Sequence, residues 1–174
     1  FKVMGLDNVA VLDGGLPKWI SQGRNHTSAV TQPAVCQSGR CIQRPKMMGI
    51  TQVLAAVRSK TYEIIDARAP GRFLGIEPEP RKGLRAGHIP GSKNVFFKTL
   101  LHDDNTMKSP DDLRVVFETA GIDMSMPVIT SCGSGITAAI VNLALAHTGS
   151  NHHFLYDGSW AEWGMSQTLP IEIA

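Results

Sequence analysis

The sequence predicts an α/β fold, a mainly parallel central sheet with helices on both faces. Three observations carry this. Short apolar runs alternate with segments of helical period from Gly49 onward, turns rich in glycine and proline punctuate them, and 174 residues with 43% hydrophobic and 18% charged content suffice for a globular core.

The elements follow in order. Val11-Leu12-Asp13-Gly14-Gly15-Leu16-Pro17-Lys18-Trp19 reads as a strand, a turn and a helix start. Thr27 to Pro45 has no hydrophobic period and reads as linker. Ile50, Val53, Leu54 and Val57 then fall at i, i+3, i+4 and i+7 of a helix, and Tyr62 to Asp66 forms a short strand. The turn-rich Ala86 to Ser92 leads into Asn94-Val95-Phe96-Phe97. Ser109-Pro110-Asp111-Asp112 supplies an N-cap, a proline at the first helical position and first-turn acids. Leu113, Val116, Phe117 and Ala120 give that helix one apolar face, and Gly121 stops it. Pro127 to Ser131 is a strand, Gly135 to His147 a mostly apolar helix, and Phe154 to Tyr156 another strand.

Two segments match in register. Asp13, Gly14 and Trp19 recur 144 positions later as Asp157, Gly158 and Trp163, with the same apolar lead-in. A spacing that long points to a domain repeat. Residues 1–26 are therefore expected to be the C-terminal remnant of an earlier domain whose body, roughly 100 to 150 residues, lies outside this chain. Residues 27–45 are the expected linker and 46–174 the functional domain. The alternative is a common strand-exit turn with coincident tryptophans.

Lys+Arg 17 against Asp+Glu 15 gives a net charge of +2 without a basic run, so neither nucleic acid nor an anionic membrane is expected as partner. No apolar run approaches the roughly 18 residues of a membrane span. Three cysteines make a disulfide framework unexpected and favour a reducing compartment. Cys36 and Cys41 are spaced like half a metal site or a redox pair, but no second pair accompanies them, and His152-His153 adjoins a strand. No metal site is expected, and linker thiols able to oxidise to one another are the preferred reading.

Cys132 follows a strand and precedes Gly133-Ser134-Gly135-Ile136-Thr137-Ala138 at a helix start. Two glycines let successive N–H groups turn inward as a nest, where the helix's partial positive charge stabilises a thiolate and any anion beside it. Ser134 is placed to hydrogen-bond the sulfur or pass a proton to a leaving group. A buried small hydrophobe and a plain turn serine are the structural alternatives. Cysteine phosphatases place an arginine six residues after the nucleophile to clamp phosphate, and that position here is Ala138, so the loop suits sulfur better than phosphoryl transfer.

These residues carry a resemblance. Asp66-Ala67-Arg68, Gly71-Arg72-Phe73, Glu77 to Arg81, Gly87 to Ser92, Cys132 to Ala138 and Tyr156 to Trp160 resemble the catalytic domain of two-domain rhodanese-superfamily sulfurtransferases, over about residues 45–170. The Cys-Gly-Ser-Gly-Ile-Thr loop resembles the 3-mercaptopyruvate branch of that family, whereas the thiosulfate branch usually carries Arg-Lys in place of Gly-Ser. The resemblance implies a rhodanese-like fold and transfer of sulfane sulfur from 3-mercaptopyruvate to a thiol acceptor, such as thioredoxin or a low-molecular-weight thiol, or to cyanide.

In that scheme Cys132 becomes a persulfide, Ser134 relays a proton to the departing pyruvate, and Arg72 and Arg81 bind the substrate. Gly133, Gly135, Ile136 and Thr137 line its loop. It implies no cofactor, a structural His88, and an N-terminal rhodanese-like domain that supplies further cleft residues, including an aspartate; the isolated chain is thus expected to be poorly active. The alternative for Arg72 and Arg81 is that of solvated surface charges, paired there with Glu77 and Glu79. The alternatives are a thiosulfate donor, or a non-catalytic module that binds a partner or carries persulfide. The expected compartment is the cytoplasm, with the mitochondrion as alternative.

Overall fold

The computed structural model describes residues 1, 8–32 and 46–173. Its sheet has four parallel strands in the order β2-β1-β3-β4, with β1 at Glu63–Asp66, β2 at Lys93–Asn94, β3 at Val128–Ser131 and β4 at His153–Leu155. Beyond β4, Met47 bridges Leu155 in parallel, which extends this edge by one residue.

Both central strands are buried along their whole length, as inner strands of a parallel sheet covered on both faces are. Their side chains alternate between two cores. Ile65 and Val128 join Leu113, Phe117, Val141 and Leu145, while Ile64 and Ile129 join Val53, Ala56, Trp160 and Trp163. Helices α4 (Pro110–Thr119) and α5 (Ile136–His147) cover the first face, and α2 (Ile50–Ser59) and α6 (Ser159–Trp163) the second. The expected two-sided α/β architecture is what forms.

The local signals act as read. Ser109 Oγ accepts the Asp112 N–H at 3.2 Å, with Pro110 in the first turn of α4. Gln52 Oε1 accepts the Gly49 N–H at 2.9 Å to open α2. The polar Asn142 of α5 is buried because its amide donates to Thr130 Oγ1 at 2.7 Å and its oxygen contacts His153 Nδ1, tying α5 to β3 and β4. Burial, with Lys46 adding to it, lowers the His153 pKa to about 4.

Two expectations are corrected or fall outside the described residues. Val11 and Leu12 form no strand; they are 68% and 56% exposed with no strand beside them, since an extended segment needs a ladder partner for its backbone groups. The chain instead turns at Asp13-Gly14 into α1 (Gly15–Ser21), which buries none of its residues and meets the domain through Lys18 to Asp104 and Asp13 to the Met107 N–H, both at 2.9 Å. The run Asn94 to Phe97 gives only Asn94 to the sheet and continues as a 3₁₀ turn over Phe97–Leu100, which packs against α4 and α5, while α3 spans Pro70–Phe73. Residues 27–32 have no regular structure, and the rest of the expected linker, with Cys36 and Cys41, lies outside the described residues.

Among the described residues no helix is long and apolar enough to cross a membrane. His88 is structural. It stacks on Phe73 at 3.8 Å, its Nδ1 lies 2.8 Å from the Phe73 carbonyl, and its backbone pairs with Glu172.

Candidate active site

Strand order locates the site. From β1 the chain steps outward to β2 and then returns to β3 on the other side of β1, so connections diverge at the carboxyl ends of β1 and β3, the place where open parallel sheets leave a crevice. A depression of about 390 Å³ lies there. Ala67, Arg68, Ala69 and Arg72 line it from the β1 exit, Phe96 and Phe97 from the segment after β2, and Cys132, Gly133, Ser134, Ile136 and Thr137 from the β3 exit.

The loop after β3 is held from two directions. Gly135 caps α5 at φ +81°, and a Cβ there would stand 2.7 Å from Asp157 Oδ1 and 2.8 Å from its carbonyl, so only glycine makes the turn. The Ser134 N–H donates to Cys132 Sγ at 3.4 Å, as an inward-turned loop amide should. From the other side, the N–H groups of Trp160 and Ala161 donate to the carbonyls of Cys132 and Gly133, each at 2.9 Å. Cys132 is only 1% exposed, so its sulfur is reached through the depression.

Ser159 completes this support. Its Oγ accepts the Cys132 N–H at 3.0 Å, donates to the Tyr156 carbonyl at 2.8 Å and lies 4.0 Å from Cys132 Sγ. It does so at φ +50°, a conformation unusual for a residue with a Cβ. Burial and the hydrogen bond to Glu162 push the neighbouring Tyr156 phenol up, keeping it neutral.

The arginine wall is an ion network. Arg68 grips Asp66 through Nε at 3.0 Å and Nη2 at 2.7 Å, donates to the Gly87 carbonyl at 2.8 Å and lies 4.6 Å above the Trp160 ring. Its Nη1 meets Glu79 Oε1 at 2.7 Å, and the other Glu79 oxygen accepts Arg72 Nη2 at 2.6 Å. The Glu79 side chain is 3% exposed, so the alternative of a surface pairing does not hold for it: two guanidiniums enclose the carboxylate and compensate its burial. Arg72 remains 26% exposed and leans over the loop, its Nη2 3.0 Å from where a Gly133 Cβ would stand.

The fold thus gathers Arg72, Cys132, Gly133, Ser134, Ile136 and Thr137 around one depression, with Gly135 behind it. Arg81 is not among the lining residues and stands exposed on the turn beyond Glu79. Arg68, Ser159, Phe96 and Phe97 were not singled out as site residues from the sequence. Arg68 and Ser159 stood in motifs that drew attention, but only the folded chain shows what they touch.

Comparison with known proteins agrees with this geometry. A family model described as "Rhodanese-like domain" matches residues 50–166. The chain is 38% identical over 192 residues to thiosulfate/3-mercaptopyruvate sulfurtransferase 2 of Arabidopsis thaliana, covering 98% of this chain and 56% of that protein. It is 40% identical over 164 residues to the thiosulfate sulfurtransferase of Rattus norvegicus, covering 94% and 55%. The crystal structure of SseA from Escherichia coli, presented as a 3-mercaptopyruvate sulfotransferase with the rhodanese fold, superposes with a TM-score of 0.80 at 34% identity, over 91% of this chain and 59% of that one. The chain spans about half the length of the curated relatives it matches.

Proposed function

The chain belongs to the rhodanese-like domain family, and from that premise we propose that it carries the sulfur-accepting half of a sulfurtransferase whose donor is 3-mercaptopyruvate. The observation that carries this reading is the placement of Cys132 Sγ beside the Ser134 amide, at the N-terminus of α5, with the Arg72 guanidinium over Gly133.

The Cys132 thiolate attacks the donor's sulfur, forming an S–S bond as the C–S bond breaks. The electron pair of that bond leaves as the enolate of pyruvate, which takes up one proton. Ser134 is the loop's candidate to relay it. The sulfane sulfur remains as a Cys132 persulfide, supported by loop amides and the helix dipole, until an acceptor thiolate or cyanide attacks it and releases Cys132. Arg72 has N–H groups beyond those bound to Glu79, and these suit a carboxylate. Arg81 stands on its exposed turn outside the depression, and an unchanged KM in Arg81→Ala would remove it from the clamp that the resemblance implies.

A thiosulfate donor is the rival reading, favoured by the 40% identity to the rat thiosulfate sulfurtransferase. Gly133-Ser134 speaks against it, because the loop adds no cation for a dianion. The deciding experiment is intact mass spectrometry after incubation with either donor. A gain of one sulfur on the Cys132 peptide, faster with 3-mercaptopyruvate, is expected; a faster gain with thiosulfate selects the rival, and no gain with either refutes the sulfurtransferase reading for this chain.

A further inference from the structure

We infer that Glu79 is a specificity-determining residue: by cancelling the charge of Arg72 it restricts the depression to donors bearing a single negative charge. The choice of donor rests on the sulfurtransferase reading, whereas the charge at the sulfur rests on geometry alone.

Among the described residues, the charged groups on the wall are Arg68 and Arg72. Arg68 has nothing to offer a ligand. Its side chain is 1% exposed, and Asp66, Glu79 and the Gly87 carbonyl take its donors. Arg72 is the accessible cation, and Glu79 binds it through both oxygens. Two carboxylates therefore face two guanidiniums, and their formal charges cancel. The 3% exposure of Glu79 makes that cancellation effective, because little water lies between the charges to screen it.

Attraction for an anion then comes from oriented dipoles: the loop amides, the start of α5 and the N–H groups of Arg72 that Glu79 leaves free. Such a site suits one carboxylate, and a dianion finds no full charge to meet its second. Gly133 keeps the arrangement intact, since a side chain there would press on Arg72 Nη2. Asp157, behind Gly135, is a further carboxylate and adds no positive charge.

The test reads the potential at Cys132 without any sulfur donor. Alkylation of the Cys132 peptide by anionic iodoacetate and by neutral iodoacetamide is followed by mass spectrometry, and the ratio of the two rates is taken. A change in thiolate fraction moves both rates together and cancels. Glu79→Gln should raise the ratio about fivefold at low salt, Arg72→Gln should lower it by a similar factor, and the double variant should return to within about twofold of the wild type.

An unchanged ratio in folded Glu79→Gln, or a double variant that stays at either single value, overturns the inference. Should Glu79→Gln fail to fold, Arg72→Gln decides alone, and a ratio that does not fall is fatal. In parallel, Glu79→Gln should shift relative persulfide formation toward thiosulfate over 3-mercaptopyruvate by a similar factor. If the alkylation ratio moves and the donor ratio does not, Glu79 does not set specificity. If neither donor loads the wild type, the sulfurtransferase reading fails while the alkylation ratio still decides the charge.

Discussion

Helices α1 and α6 begin at positions 144 apart, Gly15 and Ser159, each in the left-handed region at φ +61° and +50°, and each carries a tryptophan at its fifth residue. Their fates differ. Helix α6 buries Ser159, Trp160 and Trp163 and braces the Cys132 loop, whereas α1 buries nothing and leaves Leu12, Leu16 and Ile20 between 46% and 58% exposed. Two substitutions mark the difference in chemistry. Gly15 lacks the hydroxyl that Ser159 gives the Cys132 N–H, and Pro17 lacks the N–H that Ala161 gives the Gly133 carbonyl. The same turn-and-helix chemistry shapes both segments, and the surrounding core decides what each one does. We propose that the two are copies of one domain-ending unit, with the apolar side of α1 fitted to a body that precedes it.

The largest test of this comparison exchanges the paired tryptophans. Trp163→Ala should cost about 3–5 kcal/mol, because a fully buried indole leaves a cavity and strands the Pro170 carbonyl that accepts its N–H. Trp19→Ala removes only a contact with Arg24 and a bond to the Asn25 carbonyl, and should cost less than about 1 kcal/mol. Urea denaturation of both variants checks the contrast; equal losses would mean that α1 is part of the same core.

A pH titration separates the regions next. The His153 pKa falls from 6.5 to about 4 on folding. Between those values the unfolded chain binds the proton and the folded one does not. Stability should therefore be full above about pH 6.5, fall as pH drops, and level off below about pH 4, a loss on the order of 3 kcal/mol. His153→Gln should flatten that slope in denaturation curves across the range. Asp104, whose carboxyl is held below the usual range by Lys18 and then Thr106, anchors α1 and should release it only at more acidic pH, below the ordinary carboxylate value of 3.8. Loss of α1 protection in hydrogen exchange before the His153 transition would contradict this order.

Effects smaller than that of Trp163→Ala are expected at the two left-handed positions. Ser159→Ala and Ser159→Gly both strand the Cys132 N–H, at a cost of about 1–3 kcal/mol, and Ala keeps the backbone strain that Gly relieves, so Ala should be worse by about 1 kcal/mol. Gly15→Ser adds strain of about 1 kcal/mol, but its Cβ would make only an ordinary contact with Pro17 Cδ at 3.6 Å and has no loop to brace. Thermal melts rank the three, and a Ser159→Gly protein as unstable as Ser159→Ala would show that strain is not stored there.

Much of the fold was legible because its signals are local. Apolar period marked α2, α4 and α5, the Ser109-Pro110 cap and Gly121 stop bounded α4 almost to the residue, and the β-branched pairs Ile64-Ile65 and Val128-Ile129 marked β1 and β3. Val11-Leu12 misled because an apolar pair becomes a strand only beside another strand. Glu79 misled for a related reason: a glutamate in a proline-bounded turn reads as solvated, and only the approach of Arg68 from the β1 exit and Arg72 from α3 makes its burial tolerable. At the site, the Cys132 loop was readable because glycine spacing and a following helix constrain a short stretch of backbone.

The sequence by itself determined the alternation of strands and helices and the turn that carries Cys132, since each depends on residues close together in the chain. Tertiary structure alone decided strand order, and so the crevice between β1 and β3, the charge balance of Asp66, Arg68, Glu79 and Arg72, and the bracing of the nucleophile loop by Ser159 from 27 residues away. Those outcomes depend on which distant groups share a poorly screened interior, where a polar atom is stable only with a partner.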